Sequence, residues 1–205
     1  MIEDKTIQLT VSPTEFFREK VSSAIDRQKL EVNDDIEFYL VNLLCEYINP
    51  TRDGSFSNGD KLLDTPLALQ LKNALEAPPE KQFRIFKQLG DTSLYISGYF
   101  QDFFNRKIYD IDYFITLGSS AYDNIAILMR DRDDSFADTY HSLAKLFKRL
   151  VEVVAEVSDG FNPNQSLNVL ATYDRWTKNQ DSERLRRKLE ESGILPIPIS
   201  TKLAQ

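Results

Sequence analysis

Cysteine and histidine, on which many metal and nucleophilic sites depend, are nearly absent from this chain. Its 205 residues include one of each, Cys45 and His141. A single cysteine excludes an intramolecular disulfide, and one cysteine with one histidine is too few for a structural zinc site. We expect Cys45 to be a buried free thiol, because it stands in an apolar run. We expect His141 to be a half-exposed structural residue, because it lies one position off an apolar stripe and lacks a second metal ligand.

Glycine, proline and long apolar runs are also scarce. The 7 glycines and 8 prolines argue against a β-sandwich with many tight turns and against long disordered linkers. No run approaches the roughly 18 apolar residues of a membrane span, and the residues after Met1 lack the pattern of a signal peptide. We therefore expect a cytoplasmic protein without a membrane span. The net charge of −7 argues against nucleic-acid binding, which needs a basic face to displace counterions.

One segment partly matches the pattern of a calcium-binding EF-hand loop. Residues 49–60 place Gly54 and Phe56 where an EF-hand loop needs a glycine and an apolar residue. The segment begins with Asn49 and ends with Asp60, which is one methylene shorter than the bidentate glutamate of that loop. We expect a connecting loop here, and neither a metal nor a cofactor in the protein.

What the chain does contain is helical periodicity. It predicts an all-α fold, a single-domain bundle of about seven to eight helices. We expect an extended arm over residues 1–11, the helical bundle over 12–193 and an extended tail over 194–205. Because Pro196 and Pro198 force extended backbone, the apolar residues of that tail must lie on this molecule or on a neighbour.

Several helices can be placed individually. Ser12 followed by Pro13 and Glu15 is the capping-box pattern of a helix start. A second helix after Asn33 carries apolar residues round most of its circumference, which predicts a central position in the fold. Two later helices share an apolar spacing of alternating fours and threes and are joined by the polar residues 130–134. They predict a central antiparallel hairpin.

Aromatic residues are concentrated in one stretch: 11 of the 23 lie between Phe83 and Tyr122. Two Leu-Gly segments with small residues, beginning at Leu89 and Leu117, lie in the same stretch. Large rings beside residues without bulk predict two helix backbones that approach closely. The residues expected to line this helix crossing are Gly90, Ser93, Ser97, Gly118 and Ala121.

The same stretch combines tyrosine with aspartate. Buried tyrosine hydroxyls need hydrogen-bond partners, and aspartate carboxylates can accept from them. If the protein has a ligand pocket, we expect it between the helices that carry Gly90 and Gly118. The candidate pocket residues are Asp91, Tyr95, Tyr99, Asp112, Tyr113 and Tyr122.

Two resemblances arise in this region. The run Leu89 to Ser93 resembles the distal-helix signature of the haem oxygenases, Leu-Gly-Asp-x-Ser-Gly-Gly, which implies a helix backbone lying over a haem face. However, Leu94 and Tyr95 replace the two glycines. The family's iron ligand is a histidine in the first helix, and this chain has no histidine before His141. Residues 89–100, with 112–114 and 117–122, resemble a bacterial family of all-helical proteins of unknown function. That resemblance implies a bacterial cytoplasmic setting but no activity or ligand.

The C-terminal region carries the one dense basic patch, Arg184 to Lys188. Glutamates surround it, so we expect a surface helix with pairs three and four residues apart, running from Ser182 to Ser192 and ended by Gly193. Trp176, between basic residues, is equally consistent with an interface anchor and with core packing.

The sequence therefore favours a non-enzymatic helical interaction or regulatory protein that self-associates or binds another protein. No catalytic set of residues appears, and the tail and second helix have surplus apolar surface. The alternative is a small-molecule-binding protein or an enzyme that uses the tyrosine- and aspartate-lined pocket.

Overall fold

A computed structural model describes residues 12–48, 67–99, 101, 111–130, 136–160 and 169–197. These residues form eight α-helices and no strand, so the predicted all-α class is confirmed. The arm over 1–11, the segment 49–60 and the tail beyond 197 lie outside the described residues. In chain order the helices are α1 (Pro13–Arg27), α2 (Asp34–Ile48), α3 (Leu67–Glu76), α4 (Pro79–Tyr99), α5 (Ile111–Arg130), α6 (Ala137–Asp159), α7 (Val169–Lys178) and α8 (Glu183–Glu191).

The helix starts that the sequence predicts are confirmed where the structure describes them. The Ser12 hydroxyl accepts from the Glu15 N–H at 3.2 Å, and the Glu15 carboxylate accepts from the Ser12 N–H at 3.2 Å, which completes the capping box. The side chain of Asn33 accepts from the Ile36 N–H at 3.2 Å at the start of α2. Each bond satisfies an N–H that the first helical turn leaves without an intrahelical acceptor.

The centre of the bundle is the three-helix layer α4, α5 and α6, whose members pack extensively on one another. The predicted hairpin of α5 and α6 is antiparallel: Gly118 lies against Phe147, and farther along α5 the Asp123 carboxylate lies 3.4 Å from His141 Nδ1, earlier in α6. Helices α1 and α2 pair with each other and cover one side, and α3 packs on α4. Among the described helices, none combines the length and apolarity that a bilayer span requires.

The central position predicted for α2 is wrong. Phe38 is 67% exposed, and Asn42 and Glu46 face solvent as well, so this helix lies at the side of the layer. A nearly continuous apolar circumference suggested burial on all sides. Here only the face that carries Leu40 and Leu44 is fully covered.

Glycines allow the three central helices to approach one another. A Cβ atom on Gly90 would lie 2.6 Å from Cδ1 of Tyr122, and one on Gly118 would lie 2.8 Å from the Cβ of Ser93. A third close approach, which the sequence reading did not include, lies at Gly98. A Cβ atom there would lie 2.6 Å from the Cβ of Val154 on α6.

Helices α7 and α8 enclose a second, small apolar cluster. Trp176, Leu185 and Leu189 are buried in it, and Val169, Tyr173 and Ile194 pack against them. The main cluster draws its buried residues from α1 to α6. Trp176 is 1% exposed, so of its two interpretations core packing is the one observed.

We predict that Gly98→Ala destabilises the protein by about 1–3 kcal/mol. The Cβ of Val154 is fixed to its own backbone, so the added methyl group forces α4 and α6 apart, and this overpacking outweighs the better helix propensity of alanine. The free energy of unfolding in urea measures the effect. Gly160→Ala is the control, because its Cβ meets a carbonyl oxygen at 3.3 Å in a C-cap with a φ of −65°. An equal, small change in both variants would contradict the prediction.

Candidate functional site

A buried polar arrangement inside the bundle centres on the Asp91 carboxylate of α4. Asp91 is 4% exposed. Its Oδ1 accepts from the hydroxyl of Tyr39 at 2.5 Å and from that of Tyr122 at 2.8 Å. Its Oδ2 lies 2.5 Å from Nζ of Lys87, one turn earlier on α4. We call these four residues the Asp91 cluster; it links α2, α4 and α5 through one carboxylate.

Aromatic rings surround the cluster. The rings of Tyr39, Tyr122 and Tyr140 lie with each pair of centroids 5.9 Å apart, in edge-to-face or tilted geometry. The ammonium of Lys87 also lies 5.4 Å from the centroid of the Tyr39 ring. Such contacts stabilise aromatic clusters beyond their buried area. They also exclude water from the carboxylate.

The protonation states follow from this burial. Burial raises the pKa of Tyr39 and of Tyr122 well above the usual tyrosine value. The next causes are the neighbouring Tyr122 and Asp91 for the pKa of Tyr39, and the charge of Asp91 for the pKa of Tyr122. Both hydroxyls are therefore protonated donors near neutral pH. Burial alone would lower the pKa of Lys87, but the charge and hydrogen bond of Asp91 raise it above the usual lysine value. Lys87 is accordingly an ammonium, and the cluster is an ion pair with two neutral donors.

This arrangement is suited to cohesion rather than to proton transfer. A general acid or base near neutral pH needs a pKa close to 7 and access to substrate. Here the tyrosine pKa values move away from 7, Tyr122 is fully buried, and the carboxylate already accepts from three donors. The cluster holds three helices in register.

The structure divides the six predicted pocket residues into three places. Asp91 and Tyr122 meet in the Asp91 cluster. Tyr95 and Tyr99 stack on each other with centroids 5.1 Å apart, and Tyr95 stacks on Tyr47 of α2 at 4.1 Å. Burial raises the pKa of Tyr95 to about 12.

Asp112 and Tyr113 are exposed at the start of α5. The Tyr113 hydroxyl accepts from the N–H of Ala68 on α3 at 3.1 Å. Tyr113 lies about 13 Å along the helix from Tyr122, at 1.5 Å per residue. The six residues are thus distributed along the bundle and do not line one space.

The small residues expected at the helix crossing are buried there. Ser93 and Ala121 are fully buried, and Ser97 donates to the Ser93 carbonyl at 2.6 Å. The Ser93 hydroxyl has no hydrogen-bond partner among the described residues, which indicates that its size matters more than its polarity. At Gly90 and Gly118 the nearest atoms belong to the rings of Tyr122 and Phe147. Aromatic side chains take the room that the two glycines leave.

Two members of the Asp91 cluster are missing from the sequence prediction. Tyr39 lies outside the aromatic stretch, and its contact with Asp91 depends on how α2 packs. The contact between Lys87 and Asp91 could have been predicted from the sequence, because the two residues are four apart on one helix. Tyr47 of α2 likewise contacts α4, with its hydroxyl 3.0 Å from the hydroxyl of Thr92.

A second polar centre lies where α8 meets α6. Arg184 is 2% exposed. Its Nε donates to Glu152 at 3.0 Å, its Nη1 donates to Asp159 at 2.7 Å, and its Nη2 donates to the side chain of Gln101. Ser182, the N-cap of α8, donates to the same Glu152 oxygen at 2.9 Å. We call this set the Arg184 network.

One turn along α6, Glu156 extends the network. Its carboxylate contacts Arg187 of α8 at 2.5 Å and Arg27 of α1 at 3.0 Å, and it accepts from Gln28 at 2.8 Å. Lys188 adds a 2.6 Å contact to Asp159. Burial alone would raise the pKa of Glu152, but the Arg184 charge and the hydrogen bonds lower it below the usual value. The described side-chain bonds between α8 and α6 are therefore charge-assisted, buried at Arg184 and Glu152 and partly exposed at Arg187, Lys188 and Asp159.

The prediction of a purely surface basic helix is thus wrong for Arg184. Pairing within the helix does occur at Arg186, which contacts Glu183 and Glu190. The sequence did indicate the acidic partners of α8. Glu152 and Glu156 are the only charged residues between Val151 and Val157, and both are buried. Two glutamates four residues apart in an apolar run indicate cations nearby.

The single cysteine and the single histidine are both partly exposed. Cys45 is a free thiol, as expected, but it is half-buried rather than buried, with Sγ 3.9 Å from the Thr14 hydroxyl. His141 has a side chain that is 49% exposed, in agreement with its expected half-exposure. Within the described ranges, no group of three or more histidine, cysteine, aspartate or glutamate residues is arranged to hold a metal ion. Residues 49–60, the segment compared with a calcium-binding loop, lie outside the described residues.

Comparisons with protein-family models, curated proteins and solved structures found no significant match to this chain. The resemblance to a bacterial helical family therefore stays a prediction.

We predict that Arg184→Gln loosens α7 and α8 before the main bundle unfolds. The change leaves Glu152 buried without its cation, which typically costs about 3–5 kcal/mol. The sole tryptophan, Trp176, lies in the α7–α8 cluster, so its fluorescence reports that unit. In this variant, the urea midpoint of the tryptophan fluorescence transition should fall below the urea midpoint of the far-ultraviolet circular dichroism transition, which reports the loss of all helices.

Arg186→Gln is the matched control on the same helix, because Arg186 is exposed and its described ion pairs lie within α8. It should leave both midpoints unchanged. Coincident transitions in Arg184→Gln, shifted no more than in the control, would show that the Arg184 network does not hold α8 in place.

Proposed function

We propose that this protein is a non-enzymatic helical interaction protein that self-associates through its C-terminal unit. The observation that carries the proposal is a set of exposed apolar side chains in the C-terminal unit: Leu170 in the first turn of α7, and Leu195 and Ile197 after α8. These are the three most exposed large apolar residues in the described part of the chain, at 83%, 79% and 73%. We call them the C-terminal apolar surface.

The backbone explains why these side chains face outward. Residues 194–197 follow α8 without helical structure, and their burial alternates: Ile194 and Pro196 are partly buried, whereas Leu195 and Ile197 are exposed. Period-two alternation is the pattern of an extended segment with one covered face. Ile194 packs on the small cluster, so this molecule covers one side of residues 194–197 and leaves the other side open to a partner.

A second copy of the chain is the partner that suits this surface. Each copy carries a net charge of −7, so association through charged surfaces would be opposed by repulsion. Apolar residues on an extended segment avoid that repulsion. About a two-fold axis the two segments can run antiparallel, with Leu195 of one copy near Ile197 of the other.

Observations inside the bundle favour this proposal over a ligand pocket between α4 and α5. The ring of Tyr122 lies against Gly90, and the Asp91 carboxylate is engaged by Tyr39, Tyr122 and Lys87. An enzyme or receptor site needs polar groups directed at a vacant space. The groups of the Asp91 cluster are directed at one another.

The proposed setting is the bacterial cytoplasm. The free cysteine supports a reducing compartment. The bacterial setting rests on the resemblance of residues 89–100, 112–114 and 117–122 to a family of helical proteins.

Sedimentation velocity tests the proposal. We predict that the unaltered protein is a dimer and that Leu195→Asp with Ile197→Asp raises the dimer dissociation constant roughly 100-fold, as expected when central interface residues become charged. Phe38→Asp is the control, because Phe38 is equally apolar and 67% exposed but lies on α2. It should leave the dimer intact. A monomeric unaltered protein, or a dimer that survives the double substitution, would refute the proposal.

A further inference from the structure

A polar cleft of about 570 Å³ lies where the turn after α1, the middle of α6 and the α7–α8 connection meet. The α7–α8 unit forms one wall and the main bundle the other. Every lining side chain is polar or charged: Gln28, Lys29, Lys148, Arg149, Glu152, Asn179, Gln180, Asp181, Ser182, Glu183 and Arg186. The cleft is separate from the Asp91 cluster and from the C-terminal apolar surface.

Four cations and three carboxylates line the cleft, but some are already paired. Arg186 contacts Glu183 at 2.5 Å, and Glu152 is engaged by Arg184 at 3.0 Å. Within the described ranges, Lys29 and Lys148 form no ion pair. With Arg149 they leave an excess of positive charge on the bundle wall, opposed by Asp181 alone.

The cations are positioned by the backbone around them. Arg149 donates one N–H to the Gln28 carbonyl at 3.1 Å, which fixes its guanidinium and leaves its other donors available. Lys29 has a φ of 50°, and among the described residues it is the one non-glycine residue in the left-handed region. Glycine is the usual residue at such a helix end. A lysine in this conformation strains the backbone. Strained residues of this kind are concentrated at functional sites.

The opposite wall contributes a helix N-terminus. Ser182 and Glu183, the N-cap and first residue of α8, line the cleft. The first-turn N–H groups of a helix lack intrahelical acceptors and favour an anion. Lysines, an arginine and a helix N-terminus that converge from two walls are the donors that a phosphate group requires.

The rest of the lining indicates what the phosphate carries. No aromatic or aliphatic side chain lines the cleft, so a nucleobase would find no ring to stack on. The side-chain amides of Asn179 and Gln180 instead suit hydroxyl groups. We propose that this cleft binds a phosphate monoester of a hydroxyl-rich small molecule, of the sugar phosphate class, with Lys29, Lys148 and Arg149 as the phosphate ligands.

Isothermal titration calorimetry of the full chain tests this site with three probes: glucose 6-phosphate, inorganic phosphate and glucose. Glucose 6-phosphate should bind most tightly, inorganic phosphate more weakly and glucose not measurably. Lys29→Gln with Lys148→Gln should weaken glucose 6-phosphate binding at least tenfold, because two charged hydrogen bonds are lost. Lys145→Gln is the control, because Lys145 is exposed on α6 but does not line the cleft. It should change the affinity less than twofold.

Three results would each overturn the inference: no binding of glucose 6-phosphate at millimolar concentration, equal affinity for inorganic phosphate and the ester, or equal weakening by the double variant and the control. Because Lys29 and Lys148 are exposed, we expect both variants to keep the fold, and circular dichroism checks this. Because these variants leave Leu195 and Ile197 intact, dimer formation and ligand binding can succeed or fail independently.

Discussion

The architecture depends on the adjacent residues Gly90 and Asp91 and on how Tyr122 meets both of them. The ring of Tyr122 can lie against the α4 backbone because Gly90 has no side chain, and at that distance its hydroxyl reaches the Asp91 carboxylate at 2.8 Å. A larger residue at position 90 would remove the contact and the hydrogen bond together. Steric fit and polar satisfaction therefore constrain each other at one point.

The same carboxylate determines where α2 lies. Asp91 is buried, and a buried charge is tolerated only with partners. Tyr39 reaches in from α2 and Lys87 from the preceding turn of α4. Because α2 packs at the side of the layer, its bonds to Asp91 and Thr92 help to position it where apolar coverage is incomplete.

The C-terminal unit is attached on a different physical basis. Its apolar cluster around Trp176 is small, and buried or partly buried ion pairs from α8 to Glu152, Glu156 and Asp159 connect it to α6. Ion pairs demand specific geometry, whereas apolar packing tolerates rearrangement. The boundary between the two units also holds the polar cleft, since charged walls cannot close as tightly as an apolar core.

Local features of the fold were predictable from the sequence, and contacts that depend on helix placement were not. The Ser12 capping box and the α5–α6 hairpin follow from residue spacing, and the pairing of tyrosine with Asp91 follows from the need to satisfy buried hydroxyls. Tyr39 could not be assigned, because it lies outside the aromatic stretch and its contact with Asp91 depends on how α2 packs.

Arg184 shows the same limit within one helix. It belongs to the same basic patch as Arg186 and Arg187 and differs from them in its rotation about the helix axis, which decides burial. The division of the six candidate pocket residues among three places has a similar origin. Periodicity assigns faces to a helix, but the packing of its neighbours decides which face is covered.

The most direct test of the central claim is the free energy of unfolding of Asp91→Asn, compared with that of Asp123→Asn, whose side chain is 53% exposed on α5. The amide keeps the shape of the carboxylate but removes the charge that Lys87 and the two tyrosine hydroxyls are arranged to meet. The account predicts a loss of about 2–4 kcal/mol for Asp91→Asn with helical content retained, and little change for the control. Equal stability of the two variants, or a gain for Asp91→Asn, would contradict it.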